Sequence, residues 1–211
     1  MNNPGDKNEL FDTSSMGSFL AAYAGRLHEA LLAVDAAALD RARAAIEQAG
    51  TRGNHIYAIG NGGSAAIADH LCCDLTKGTD HQGCKPIITS SLTANMPLYS
   101  AIANDLEFGE VFAVQLGYFG KEGDVLLAIS SSGNSENIVR AVGRAKALGM
   151  TVIGLSGFAG GRLREQADIA LHVPVDNYGV VEDAHQALMH VLAQFITARR
   201  KGLSPSSKRG G

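Results

Sequence analysis

The sequence predicts an α/β fold: a doubly wound three-layer sandwich around a parallel sheet of roughly five strands, preceded by an N-terminal helical segment. Three observations predict it. Five short apolar runs bounded by Gly, Ser or Asp recur along the chain, several too uniformly apolar for a sheet with one wet face. Helical stretches separate them, the alternation that builds a parallel sheet covered on both sides. The 211 residues, 45% hydrophobic and 18% charged, suffice for one such core and not for two catalytic domains.

Each element has a local reason. Residues 1–15 are polar, and 202–211 mix turn formers with basic residues; both segments are expected to be flexible, leaving 16–201 as a single domain. From Met16 to about Ala49 the apolar residues Phe19, Tyr23, Leu27, Leu31 and Val34 recur three or four apart, which predicts one or two amphipathic helices. Their apolar face exceeds what the chain itself can cover, so it is expected to form oligomer core. Strands are expected over His55–Ile59, Lys85–Thr89, Asp124–Ile129, Thr151–Leu155 and Asp168–Val173. Helices are expected over Ala65–Thr76, over Met96–Phe119 in one or two pieces, over Asn134–Leu148, near Arg162, and over Val180–Arg200. Ligands should bind at the carboxyl ends of the strands, near a topological switch point.

Composition removes several function classes. The formal net charge of −3 leaves no basic excess to neutralise a phosphate backbone or an anionic membrane, so no nucleic acid and no membrane partner is expected. No apolar run approaches the ~18 residues of a spanning helix. Cys72, Cys73 and Cys84 form no CxxC pair and leave an odd count. That excludes a disulfide framework or a thiolate zinc site and suits a reduced, cytoplasmic setting.

Two loops carry the chemical signal. The first strand runs into Gly60-Asn61-Gly62-Gly63-Ser64 and then a helix, so backbone amides and the Ser64 hydroxyl converge beyond the sheet as an anion seat. The same residues with Ala65 satisfy the dinucleotide pattern GxGxxA. No NAD is expected, because the second strand leads into Thr89-Ser90-Ser91-Leu92 without the carboxylate that would hold a ribose; Asp80, at the nominal distance, sits in a loop. The third strand ends in Ser130-Ser131-Ser132-Gly133-Asn134-Ser135 and again feeds a helix. Four hydroxyls at a helix amino terminus suit a phosphate monoester, while a Ser-rich N-cap would look the same in isolation.

These loops, with Ala103-Asn104-Asp105 between them and Glu182-Asp183-Ala184-His185 followed by His190, resemble the sugar isomerase (SIS) domain, specifically its phosphoheptose isomerase branch. The resemblance spans about Met16 to Ala198. It implies the SIS fold, a serine loop that holds a sugar phosphate, a homotetramer whose neighbouring helices complete each site, and one Zn2+ per subunit. The implied reaction interconverts sedoheptulose 7-phosphate and D-glycero-D-manno-heptose 7-phosphate.

His70 and Asp74 are four apart on one helix, and Glu182, Gln186 and His190 step by four on the last. Should those faces meet beside the serine loop, two imidazoles and two carboxylates match a zinc or similar divalent site and could also move protons. The resemblance places His70 and His190 on the family's metal-binding histidines, and His190 also on its acid/base. Asp74 falls where the family has a catalytic glutamate that binds zinc, and Glu182 where it has a glutamine ligand. The first exchange withdraws a carboxylate by about one methylene; the second adds a charge and would move the base across the site to Glu182. The segment Asp176–Val181 lacks the Asp-Arg pair expected from the family, which bears on the contacts to the sugar chain.

The resemblance thus implies an aldose-ketose isomerase, working through an enediol. His190 would shuttle the oxygen-bound proton, and Asp74 or Glu182 would take the carbon proton. Ser130, Ser131, Ser132 and Ser135 would hold phosphate, while Asn61, Gly62, Gly63, Ser64 and Asp105 line the polyol. The competing readings are a phosphosugar-binding sensor, a tetrameric adaptor of the replication-initiator-associating type, and an isomerase of another sugar phosphate. Cys72 and Cys73 are expected to pack as small apolar residues, His185 to serve a surface or intersubunit role, and Lys77 either to approach a phosphate or to cap its helix. His28, His55, His81 and His172 have no patterned partner.

Overall fold

The computed structural model describes residues 11–81 and 83–202. Among them five strands form one parallel sheet, β1 (Ile56–Gly60), β2 (Thr89–Ser91), β3 (Val125–Ser130), β4 (Thr151–Ser156) and β5 (Ile169–His172), in the order β2-β1-β3-β4-β5. The helices are α1 (Met16–Leu32), α2 (Ala36–Arg52), α3 (Gly63–Thr79), α4 (Met96–Asp105), α5 (Ala113–Phe119), α6 (Glu136–Ala147), α7 (Gly161–Gln166) and α8 (Tyr178–Arg200), with a 3-10 turn at Phe108–Glu110. This is the expected α/β sandwich. Most of the expected flexible ends lies outside the described residues, and 11–15 precede the first helix.

The uniformly apolar strands are buried on both faces, because alternate residues serve different layers. Ile56, Ala58, Val125, Leu127 and Ile129 face a core closed by α2, α3 and α8, through Ile46, Leu71, Leu75, Met189 and Ile196. Tyr57, Ile59, Leu126 and Ala128 face the other core, closed by Phe112, Leu116, Ile138 and Val142. Outside these layers, α1 lies on α8 through Ala30, Val180, Val181, Ala184 and Leu188. Among the described residues no helix is long and apolar enough to cross a membrane.

The second strand is displaced from its expected span, Lys85–Thr89, to Thr89–Ser91. Pro86 has no N–H to give a ladder, and the Ile87 amide donates instead to Thr79 Oγ1 at 2.9 Å. Pairing starts only where the Ile56 amide reaches the Ile88 carbonyl, 3.0 Å away. The Met96–Phe119 region divides into three pieces rather than the expected one or two, and α3 is longer than expected, starting at Gly63.

Two side chains depart from their expected settings. Cys73 is exposed, whereas Cys72 packs against the core and burial pushes its thiol up to about 12. His185, expected at a surface, is fully buried, and neither ring nitrogen reaches a hydrogen-bonding geometry. Burial pushes its pKa down to about 4 from 6.5, a shift that the nearby Ser156 backbone offsets only in part.

A pH dependence follows. On acidification the unfolded chain takes up the His185 proton before the folded one does. The associated stability is intact above about pH 6.5 and is lost progressively as the pH falls from 6.5 towards 4, by up to about 3 kcal/mol. Urea unfolding of wild type and His185→Leu between pH 7 and 4.5 should show a flatter pH dependence in the variant; parallel curves would remove His185 as the cause.

Candidate active site

The sheet order reverses between β1 and β3, and the loops after those two strands flank the resulting crevice. On the β3 side the serine loop ends at the amino terminus of α6. The Gly133 amide donates to Ser130 Oγ at 3.2 Å, and Ser130 and Ser135 hydroxyls lie 3.5 Å apart. Among the described residues, Ser131 Oγ is buried without a hydrogen-bond partner. A cavity of about 160 Å3 opens here, lined by Asn61, Ser64, Ile129, Ser130, Ser131, Ser132, Ser135, Tyr178 and Glu182. The Asn61 and Asn137 side-chain amides exchange hydrogen bonds of 2.9 and 2.8 Å, tying the glycine loop to α6. Among the described residues no lysine or arginine lines the cavity; its polar groups are hydroxyls, amides and a carboxylate beside the amino terminus of α6.

Two turns along, a second cluster forms between α3 and α8. The helices run in the same direction with matched registers. A Cβ on Gly63 would lie 2.6 Å from Glu182 Oε2, His70 meets Gln186, Asp74 meets His190, and a Cβ on Gly78 would lie 3.0 Å from Thr197 Oγ1. His190 Nδ1 donates to Asp74 Oδ2 at 3.1 Å, and His70 Nε2 lies 3.5 Å from Asp74 Oδ1. The two imidazoles meet edge to face with centroids 4.9 Å apart. One potential donor atom from each of His70, Asp74 and His190 falls within 4.8 Å of the others, a nitrogen and oxygen set suited to a divalent ion such as zinc.

The structure thus brings together three of the four residues expected to share a ligand. Glu182 stands apart, at the serine-loop end against Gly63, where any residue larger than glycine would displace its carboxylate. Asn61, Ser64 and all four serines of the second loop line the cavity. Gly62 and Gly63 open α3 beside it. Asp105 does not reach it; it ends α4, exposed, accepting from Asn104 at 2.8 Å. Lys77 lines a separate groove with Cys73, Asp74 and Lys201. Sequence reasoning gave no role to Gln186, whose amide nitrogen lies 3.2 Å from His70 Nδ1 and 3.0 Å from His190 Nε2. The four-residue step it shares with Glu182 and His190 was its only signal. Of the remaining histidines, His55 Nε2 contacts Ser90 Oγ at 2.9 Å and His172 Nδ1 contacts Ser156 Oγ at 3.2 Å; burial lowers the pKa of both.

A parallel sandwich with a hydroxyl-lined cavity at its switch point, and a histidine–carboxylate cluster two helical turns away, is the architecture on which the comparisons with known proteins bear. The chain belongs to the SIS domain family, whose profiles match residues 19–157 and 120–198, and to its phosphoheptose isomerase branch. The phosphoheptose isomerase of Rhodospirillum rubrum is 37% identical over 144 residues, 68% of this chain and 76% of the relative. The structure of a phosphoheptose isomerase from Francisella tularensis superposes with a TM-score of 0.79 at 32% identity, covering 86% of this chain and 95% of that one. The phosphoheptose isomerase of Neisseria gonorrhoeae gives 0.78 at 31%, covering 85% and 95%.

The serine loop offers its own test. Gly133 has φ +66°, and a Cβ there would lie 1.9 Å from the Gly160 carbonyl oxygen. Gly133→Ala should therefore cost about 1–3 kcal/mol in urea unfolding and weaken binding of a phosphate monoester. A variant as stable as wild type would show that this backbone packing is not what holds the loop.

Proposed function

We propose that this protein is an aldose-ketose isomerase converting sedoheptulose 7-phosphate to D-glycero-D-manno-heptose 7-phosphate through an enediol. The observation that carries the reading is the placement of an anion pocket and a proton-transfer cluster along one helix. Its family membership and its likeness to named phosphoheptose isomerases agree with it. From Glu182 to His190, α8 rises about 12 Å, a length suited to an extended sugar phosphate held at one end and reacting at the other.

At the α6 end, Ser130, Ser131, Ser132 and Ser135 accept the phosphate, with Ser64 and Asn61 beside the first hydroxyls of the chain. At the other end, His190 moves the proton between O1 and O2, and Asp74 takes the proton from the carbon beside the carbonyl. Asp74 is preferred over Glu182 as the carbon base because Glu182 lines the phosphate pocket, two turns from His190. There Glu182 places a negative charge beside an anion site, so it restrains phosphate binding and orients the adjoining hydroxyls. His70, Asp74 and His190 would hold zinc, which would supply positive charge to stabilise the enediolate.

The assembly is proposed to be a homotetramer. Met16 and Leu20 on α1 are 82% and 66% exposed, and Val191 and Phe195, beside His190 on α8, are 54% and 48% exposed. An apolar surface that adjoins the histidine cluster suits cover by a second copy. Three free cysteines fit a cytoplasmic protein.

Kinetics with sedoheptulose 7-phosphate test the assignment. His190→Ala and Asp74→Asn should each lower kcat by about a hundredfold or more while phosphosugar binding persists. Glu182→Gln should lower KM and change kcat little. Unchanged turnover in His190→Ala would remove that histidine from the mechanism, and collapse of kcat in Glu182→Gln would return the base to Glu182.

A further inference from the structure

Asp74, His190, Gln186 and His70 close a ring of contacts: carboxylate to imidazole at 3.1 Å, imidazole to amide at 3.0 Å, amide to imidazole at 3.2 Å, and imidazole back to carboxylate at 3.5 Å. A neutral imidazole carries one N–H and one lone pair, and a carboxylate only accepts. With both N–H groups turned to Asp74, His70 Nδ1 and His190 Nε2 are lone pairs, and the Gln186 NH2 supplies a hydrogen to each. The ring is then satisfied by side chains alone. An amide has a second face: turned by 180° about its last bond, it would present Oε1 to the same two nitrogens, accepting from both. The imidazole lone pairs would then point at Asp74, the state in which His70, Asp74 and His190 can share a cation.

We infer that Gln186 is a positioning residue that sets the tautomers of both histidines, and that its amide oxygen anchors the two imidazoles from behind when they and Asp74 take up a divalent cation. The inference rests on the zinc reading above and adds a residue that this reading leaves idle. Metal-bound imidazoles commonly donate their other N–H to an acceptor, and loss of that acceptor typically weakens metal binding by about 10- to 100-fold. Here one side chain would serve both rings. Its position one turn before His190 on α8 and opposite His70 on α3 makes the double contact possible.

The test is zinc affinity by chelator competition on the full-length protein, wild type against Gln186→Leu, joined to nitrogen-15 NMR of the histidine rings before and after zinc. The inference predicts about 10- to 100-fold weaker zinc binding in the variant. It also predicts that the His190 proton moves from Nδ1 to Nε2, and the His70 proton from Nε2 to Nδ1, when zinc binds the wild type. Equal or tighter zinc binding by Gln186→Leu, or rings that keep their tautomers on loading, would overturn it while leaving the zinc site standing. A wild type that binds no zinc, with its rings unchanged, would overturn both. The NMR spectrum of the variant reports directly that it is folded.

Discussion

The site depends on the parallel, in-register packing of α3 against α8. Both helices carry their polar residues four apart, and Gly63 and Gly78 let the helices approach at either end of the shared seam. A helix pair in this register lines up Gly63 with Glu182, His70 with Gln186, and Asp74 with His190. Beneath that polar edge, Leu71, Leu75, Met189, Leu192 and Ile196 are buried against the sheet, so sliding one helix by a turn would break a core as well as a cluster. The apolar packing therefore fixes the separation between the serine-loop cavity and the histidine–carboxylate cluster.

The serine-loop end, proposed above to seat the phosphate, is built by a different means. Among the described residues no lysine or arginine lines the serine-loop cavity; hydroxyls and the amino terminus of α6 surround it, and the Glu182 carboxylate sits at its edge. Fixed hydrogen-bond donors distinguish a tetrahedral oxyanion by shape more than by charge, which suits a phosphomonoester that must be released after each turnover. Gly133, bent into the left-handed region with its α-carbon beside the Gly160 carbonyl, holds the loop in that shape. The Asn61–Asn137 amide pair keeps the two loops in one crevice.

Much of this was legible in the sequence because the signals were local. Uniform apolar runs reveal strands buried on two faces, and the glycine- and serine-rich turns that follow two of the strands line one cavity. The steps of four from His70 to Asp74 and from Glu182 to His190 reveal shared helix faces. What stayed hidden was set by tertiary contacts. The Lys85–Thr89 run has strand composition, but Thr79 captures the Ile87 amide and pairing begins later. His185 looks like a helix-surface residue until α8 is laid on β4. Glu182 shares a stripe with His190, yet the stripe is long enough that its two ends serve different parts of the site. Gln186, between them, carries no recognisable motif, and only the approach of α3 gives it two imidazole partners.

The most direct test is proton exchange at carbon. Incubation of the intact protein with sedoheptulose 7-phosphate in deuterated water, with and without added zinc, should place deuterium on the carbon next to the carbonyl and yield the heptose aldose in parallel. Tight binding of the phosphosugar with no deuterium incorporated under either condition would contradict the account, for it would mean that the histidine–carboxylate cluster lies beside the ligand and moves no proton.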